Sequence, residues 1–292
     1  MPELPEVETV RTGLAHLLPN KRVADVWFDT DKSFPNAPQD VRAFLVGASI
    51  VGVHRRAKVL IIDLSTNYSL LIHLKMTGQL VFRSNDDSQR FGAGHPNGSL
   101  VGALPDASTR VVLDLGDATL FFNDQRKFGW MRLMPTAEVA NVDFIKKLGP
   151  EPLAADFSAA NFRDRFLWRP NTSIKAALLD QTVVAGVGNI YADESLWGAK
   201  IHPSTLVKNV ATTKMNTLFR ELQYVLHLAI EKGGSTDKNY VDAEGKEGSY
   251  MSFARVFRRE GLGCPRCGSE IVKIRVAGRG THICTKCQKI KR

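Results

Sequence analysis

The sequence predicts an α+β chain in which an N-terminal β-sandwich with flanking helices is followed by a helical domain and a metal-binding β-hairpin. Three observations carry this reading. Seven short β-branched or aromatic runs lie between residues 22 and 134. The apolar spacing beyond residue 157 is helical. All four cysteines fall between 264 and 287.

The elements follow in order. Residues 5–18 read as a helix, with Pro5 at its first turn and Val7, Val10, Leu14 and Leu17 on one face. RVADVWF, ASIVGVHRR, KVLIIDL, YSLLIHLK, GQLVFR, TRVVLDL and ATLFFND then read as strands, separated by Gly, Asn, Asp and Ser. Several strands at such short spacing suggest a sandwich. Segment 84–107 is polar and Gly-rich and reads as a long loop, functional or mobile. LGPEPLAADF (148–157) reads as a connection. Helical spacing returns at 158–168, 173–181, 189–199 and 211–232, and Gly233–Gly234 stop the last helix. Residues 235–254 read as a loop. The expected domains are 1–134, a linker 135–152, a helical domain 153–254, and a terminal hairpin 255–292. There are no internal repeats.

Cys264 and Cys267, then Cys284 and Cys287, form two C-x-x-C turns separated by sixteen residues. Four thiolates at this spacing match one tetrahedral zinc ion. With every ligand position taken, the ion is expected to be structural. Clustered cysteines in a chain with no signal-peptide pattern point to the cytoplasm and a metal rather than disulfides.

The formal net charge is +9 and the pI about 9.4, which favours an anionic partner: nucleic acid first, an acidic membrane surface second. The segment from Arg255 to Arg292 alone holds eleven Lys or Arg against two Glu. No apolar run is long enough to cross a membrane. At 43% hydrophobic and 24% charged, the composition is that of a folded chain.

The start, MPELPEVETV, allows a second chemistry. Removal of Met1 would leave Pro2 as a secondary amine, and an α-amino group titrates at about 7.7–8.0, so much of it is neutral near pH 7. Such an amine can attack a carbon next to a ring oxygen and form an iminium ion. Glu3 beside it could act as general acid. Read alone, Pro2 is more often a bystander.

The motifs PELPEVET (2–9), RRAK (55–58), HLKMTGQL (73–80), DQRKFG (124–129), LGPEPL (148–153), LLDQTVVAGVGNIYADE (178–194), GGST (233–236) and GRGTHICTKCQ (278–288) occur in one order. Together they resemble the bacterial formamidopyrimidine-DNA glycosylases over essentially the whole chain. The resemblance implies a helix–two-turns–helix motif in the helical domain and DNA bound in a basic cleft between domains. It implies Pro2 as nucleophile at the sugar C1′, Glu3 as acid to the opening sugar, and Lys58 as an aid to base loss and β-elimination. Arg279 would clamp a lesion-flanking phosphate and support δ-elimination. Met76, Arg126 and Phe128 would fill the gap left by an extruded nucleotide. Lys175 and Asn189 would meet phosphates, the latter as cap of a helix start. A DNA-contacting histidine of the family is replaced by Ser108, with Arg110 supplying charge instead, and a basic cluster is reduced to Arg169-Pro170-Asn171.

The expected activity is therefore excision of oxidised purines such as 8-oxoguanine and formamidopyrimidines, then β,δ-elimination. It would act as a monomer on double-stranded DNA, with one zinc and no small-molecule cofactor. The rival readings are an endonuclease VIII-like enzyme for oxidised pyrimidines and a non-catalytic zinc-hairpin DNA-binding protein.

Overall fold

The computed structural model describes residues 2–95, 97–235 and 250–290. They form two units, 1–146 with 229–250, and 147–228 with 251–292.

In the first unit, helix α1 (Leu4–Leu17) precedes strand β1 (Asp25–Phe28), helix α2 (Pro38–Phe44) and strands β2 (Ile50–Arg56), β3 (Val59–Leu64), β4 (Tyr68–His73) and β5 (Gly78–Ser84). Then come β6 (Arg90–Gly94), a 3-10 turn at Gly98–Leu100, β7 (Thr109–Asp114), β8 (Ala118–Asp124), β9 (Trp130–Pro135) and the short α3 (Asp143–Lys146). Two antiparallel sheets result, ordered β1-β7-β8-β5-β6 and β2-β3-β4-β9. Their inner faces share one core with α1. Val7, Val10 and Leu14 of the helix pack with Val53, Leu60, Ile62 and Ile72 of one sheet and Leu80, Phe82, Val111 and Phe122 of the other.

The outer faces are covered as well. Val59 and Leu71 pack against Ile145 of α3 and against Trp130. Val81 and Phe121 pack under Leu100 and Leu104. This explains why VLIIDL and SLLIH read as continuous apolar runs rather than alternating ones: both faces of those strands are buried.

The loop expected at 84–107 is thus corrected for its described part. Residues 90–94 add an edge strand to β5, and residues 98–104 roof the outer face of the sheet. The strand RFGAG carries two glycines and little β-branched character, so its own sequence gives no strand signal; its pairing with β5 makes it one.

The second unit contains α4 (Ala159–Leu167), α5 (Ile174–Leu179), α6 (Asn189–Gly198), most of α7 (Thr212–Glu231) and, after α8 (Tyr250–Phe253) begins, the hairpin β10 (Ile271–Val276) with β11 (Arg279–Cys284). Helix α7 ends where the glycine pair predicts, with Gly233 and Gly234 at φ +71° and +86°. The loop expected at 235–254 falls mostly on residues 236–249, outside the described residues, and ends in the single helical turn of α8.

Helix α6 is buried on every side from Tyr191 to Gly198, including two carboxylates. Glu194 is fully buried and accepts the backbone N–H groups of Arg255 (2.9 Å), Val256 (2.9 Å) and Phe257 (2.8 Å), besides the Arg255 guanidinium. It thereby fixes the chain entering the hairpin. Glu194→Ala is expected to leave three backbone donors unpaired and to destabilise the second unit by roughly 3–5 kcal/mol. Chemical denaturation measures this, and a loss under about 1 kcal/mol would contradict the assignment.

Candidate active site and DNA-contact residues

Chain ends usually fray. Here Pro2 and Glu3 are buried. Glu3 caps α1, and a reciprocal capping box joins it to Glu6. The Glu6 carboxylate works in two directions. Oε2 accepts the Glu3 backbone N–H at 2.8 Å, and Oε1 accepts that of Ser235 at 2.8 Å. The first turn of α1 is thereby tied to the stretch that follows α7. Farther along the helix, Arg55 of β2 donates to Glu8 at 2.8 Å, joining α1 to the strand that leads to Lys58.

Lys58 lies in the tight turn between β2 and β3, where Ala57 adopts φ +53°. It is 8% exposed, so it is not a side chain reaching out to water. His73, at the end of β4, is held neutral: burial pushes its pKa down to about 3, helped by the charges of Lys75 and Lys58. Its Nδ1 accepts the Lys75 backbone N–H at 3.1 Å, which puts the ring proton on Nε2.

The three residues expected to fill a base gap are all exposed, Met76 and Phe128 against the usual burial of their type. Met76 is 36% and Phe128 45% exposed. The Arg126 guanidinium lies 4.8 Å from the Phe128 ring centroid, and the Lys32 ammonium 5.4 Å from it. Buried Asp124 holds this pair of turns together. It accepts from the Thr77 hydroxyl and from the backbone N–H groups of Arg126 (3.1 Å), Phe128 (2.8 Å) and Gly129 (2.6 Å).

Two residues expected as DNA contacts are buried and paired within the fold. Arg110 is 6% exposed and its guanidinium is spent inside the fold, on Asp29 at 3.0 Å, the Asp124 carbonyl at 2.8 Å and the Ala107 carbonyl at 2.7 Å. It buttresses the Asp124 turn and offers no charge at the surface. Lys175 is fully buried, with Nζ 2.6 Å from Asp193 and 2.7 Å from the Thr281 hydroxyl. It ties α5 and α6 to β11. Ser108 is buried too, bonded to Asp106 at 2.6 Å and to Ser99 at 3.1 Å.

Asn189 is the first residue of α6, the cap being Gly188. Its amide donates to the Gly280 carbonyl at 3.0 Å, one residue from the exposed Arg279. Helix-start N–H groups and an exposed guanidinium therefore lie close together, a setting suited to phosphate. Gln181, which the sequence reading passed over, folds the preceding turn. Its Oε1 accepts the Gly186 N–H at 2.9 Å and its Nε2 donates to Val187 at 2.8 Å, with Gly186 at φ +81°.

The four cysteine sulfurs lie within 4.8 Å of one another. Two of the separations are 3.5 Å, against about 3.8 Å for thiolates placed tetrahedrally around zinc. The donor set fits one structural zinc ion. Trp197, Val256 and Ile271 pack against the cluster.

Comparison with known proteins agrees with this arrangement. Family models match the formamidopyrimidine-DNA glycosylase N-terminal domain at residues 1–131, the H2TH domain of the same glycosylases at 148–240, and a zinc finger found in FPG and IleRS at 261–290. The formamidopyrimidine-DNA glycosylase of Lactobacillus acidophilus is 40% identical over 99% of both chains. A Lactococcus lactis relative, 34% identical and solved with Fapy-dG-containing DNA, superposes with a TM-score of 0.87 over 99% of this chain and 100% of its own. The wild-type L. lactis protein with DNA containing an oxidised pyrimidine, also 34% identical, gives 0.85 over the same shares. No helix among the described residues is long and apolar enough to cross a membrane.

Two outcomes are expected. Cys284→Ser should bind less than one zinc per chain and lose the β10–β11 hairpin; metal analysis with hydrogen exchange checks this, and a full zinc complement would contradict it. The folded-state pKa of His73 lies below the ordinary 6.5, so the unfolded chain binds the extra proton between about pH 6.5 and 3 and stability is lost as pH falls through that window. His73→Gln should flatten that part of the melting-temperature profile; an unchanged slope would contradict it.

Proposed function

The chain belongs to the formamidopyrimidine-DNA glycosylase family, and from that we infer that it is a DNA glycosylase with AP-lyase activity. It acts in base excision repair on double-stranded DNA carrying oxidised purines such as 8-oxoguanine and formamidopyrimidines. The observation that carries the reading is that Pro2 and Glu3 are both buried, with the Glu3 N–H held by the Glu6 carboxylate of the first turn of α1.

The chemistry follows from that placement. In the chain that begins at Pro2, the secondary amine attacks C1′ of the damaged nucleotide and the base departs with the glycosidic electron pair. Glu3 gives a proton to the sugar-ring oxygen, the ring opens, and an iminium ion joins Pro2 to C1′. The iminium acidifies the C2′–H bond. Loss of that proton expels the 3′ phosphate, and a second elimination expels the 5′ phosphate. Water then hydrolyses the iminium and frees Pro2. Lys58, in the half-dry setting next to neutral His73, assists base loss and the first elimination.

Met76, Arg126 and Phe128 occupy the gap left by the extruded nucleotide: the thioether and ring restore apolar contact, and the guanidinium bonds the orphaned base. Asn189, the α6 start and Arg279 hold a backbone phosphate near the lesion, and Arg279 supports the last elimination by that grip. The zinc ion stabilises the hairpin that carries Arg279 and takes no part in the chemistry. The bacterial relatives support a cytoplasmic enzyme working on the nucleoid.

Specificity for oxidised pyrimidines is the second reading, favoured by the L. lactis relative's complex with such DNA. The segment GGSTDKNYVDAEGKEGSY supports the purine choice, but residues 236–249 lie outside those described. Single-turnover rates on matched 8-oxoguanine and thymine-glycol duplexes decide. Faster release of 8-oxoguanine is expected; faster cutting at thymine glycol would reverse the assignment. Lys58→Met is expected to lower the 8-oxoguanine rate by about 10²-fold or more.

A further inference from the structure

The turn that carries Met76 crosses from β4 of one sheet to β5 of the other, and the turn that carries Arg126 and Phe128 crosses back from β8 to β9, yet both meet at one buried group. Asp124 is fully buried. Its two carboxylate oxygens accept three backbone N–H groups of its own turn and the hydroxyl of Thr77. The Thr77 oxygen in turn accepts the Arg126 N–H at 3.1 Å, so the two turns are linked twice. The Asp124 peptide is fixed as well: its N–H donates to Ser108 at 2.7 Å and its carbonyl accepts from Arg110 at 2.8 Å.

Each turn also contains a non-glycine residue in the left-handed region, Lys75 at φ +49° and Lys127 at φ +54°. Such backbone persists only where surrounding bonds over-determine it. Asp124 supplies those bonds for its own turn, and through Thr77 joins the other turn to it.

We propose that Asp124, acting through Thr77, is a positioning residue that joins Met76, Arg126 and Phe128 into one preformed wedge for nucleotide extrusion. The inference rests on the assignment of those three side chains to the base gap. A wedge assembled before DNA arrives loses little further freedom on insertion, whereas two independent turns must be ordered at the moment of extrusion. Asn at 124 keeps the shape but turns one acceptor oxygen into a donor, breaking part of the cradle. Val at 77 removes only the hydroxyl.

The test uses the full-length protein and a duplex with 2-aminopurine beside a paired 8-oxoguanine. Stopped-flow fluorescence reads extrusion. A second substrate, an abasic site in an unpaired bubble, needs no wedge and reads the lyase chemistry alone. Asp124→Asn and Thr77→Val are expected to slow extrusion on the order of 10²-fold, while Thr77→Ser stays near wild type and all three cleave the bubble normally. Unchanged extrusion in Asp124→Asn and Thr77→Val, with slow extrusion in Met76→Ala or Phe128→Ala, overturns the proposal and leaves the wedge assignment standing. Wild-type extrusion in both Met76→Ala and Phe128→Ala removes the wedge assignment and the proposal with it. Equal losses on duplex and bubble make Asp124 a general fold residue and also overturn it.

Discussion

The carboxylate of Glu6 is the constraint on which the catalytic reading depends. A nucleophile at the first position of a chain is useful only if that position stops fraying. One oxygen of Glu6 holds the Glu3 N–H and the other holds the Ser235 N–H. Gly234 makes the second bond possible: it sits at φ +86°, and a Cβ there would lie 3.1 Å from Glu6 Cγ. Behind this anchor, Val7, Val10 and Leu14 sink α1 into the sandwich core, and Arg55 ties Glu8 to β2. Core packing thus reaches the chain start through one helix and one acid.

The same device recurs in the second unit. Asp193 and Glu194 are neighbours on α6, both fully buried; Asp193 is satisfied by Lys175 of α5 and the His282 N–H of the hairpin, Glu194 by the chain leading into the hairpin. Removing charges from water costs more than their attraction returns unless the geometry is good and every lone pair is used. Here the gain is orientation. The helix start at Asn189, the Gly280 carbonyl and the exposed Arg279 are set against one another by bonds that tolerate little sliding.

Much of this was legible in the sequence because its physics is local. β-branched runs between turn residues marked most strands, two C-x-x-C turns marked the zinc site, and a double glycine marked the end of α7. What was not legible depends on partners distant in sequence. Strand β6 exists because β5 offers it a ladder. Lys175 and Arg110 looked like surface cations, since nothing in their neighbourhoods shows that Asp193 and Asp29 face them from elsewhere. Asp124 closes the run ATLFFND that read as a strand; that its side chain gathers the following turn and, through Thr77, a second one follows only from the pairing of β5 with β8.

The central claim is that Pro2 becomes covalently joined to the damaged sugar. Borohydride reduction during reaction with an 8-oxoguanine duplex, followed by proteolysis and mass mapping of the cross-linked peptide, tests it most directly. The account predicts a reduced adduct on the N-terminal peptide, with the nucleotide fragment on the nitrogen of a Pro2 freed of Met1. An adduct on Lys58 or another lysine, or no adduct from a preparation whose intact mass shows Met1 removed, would contradict it.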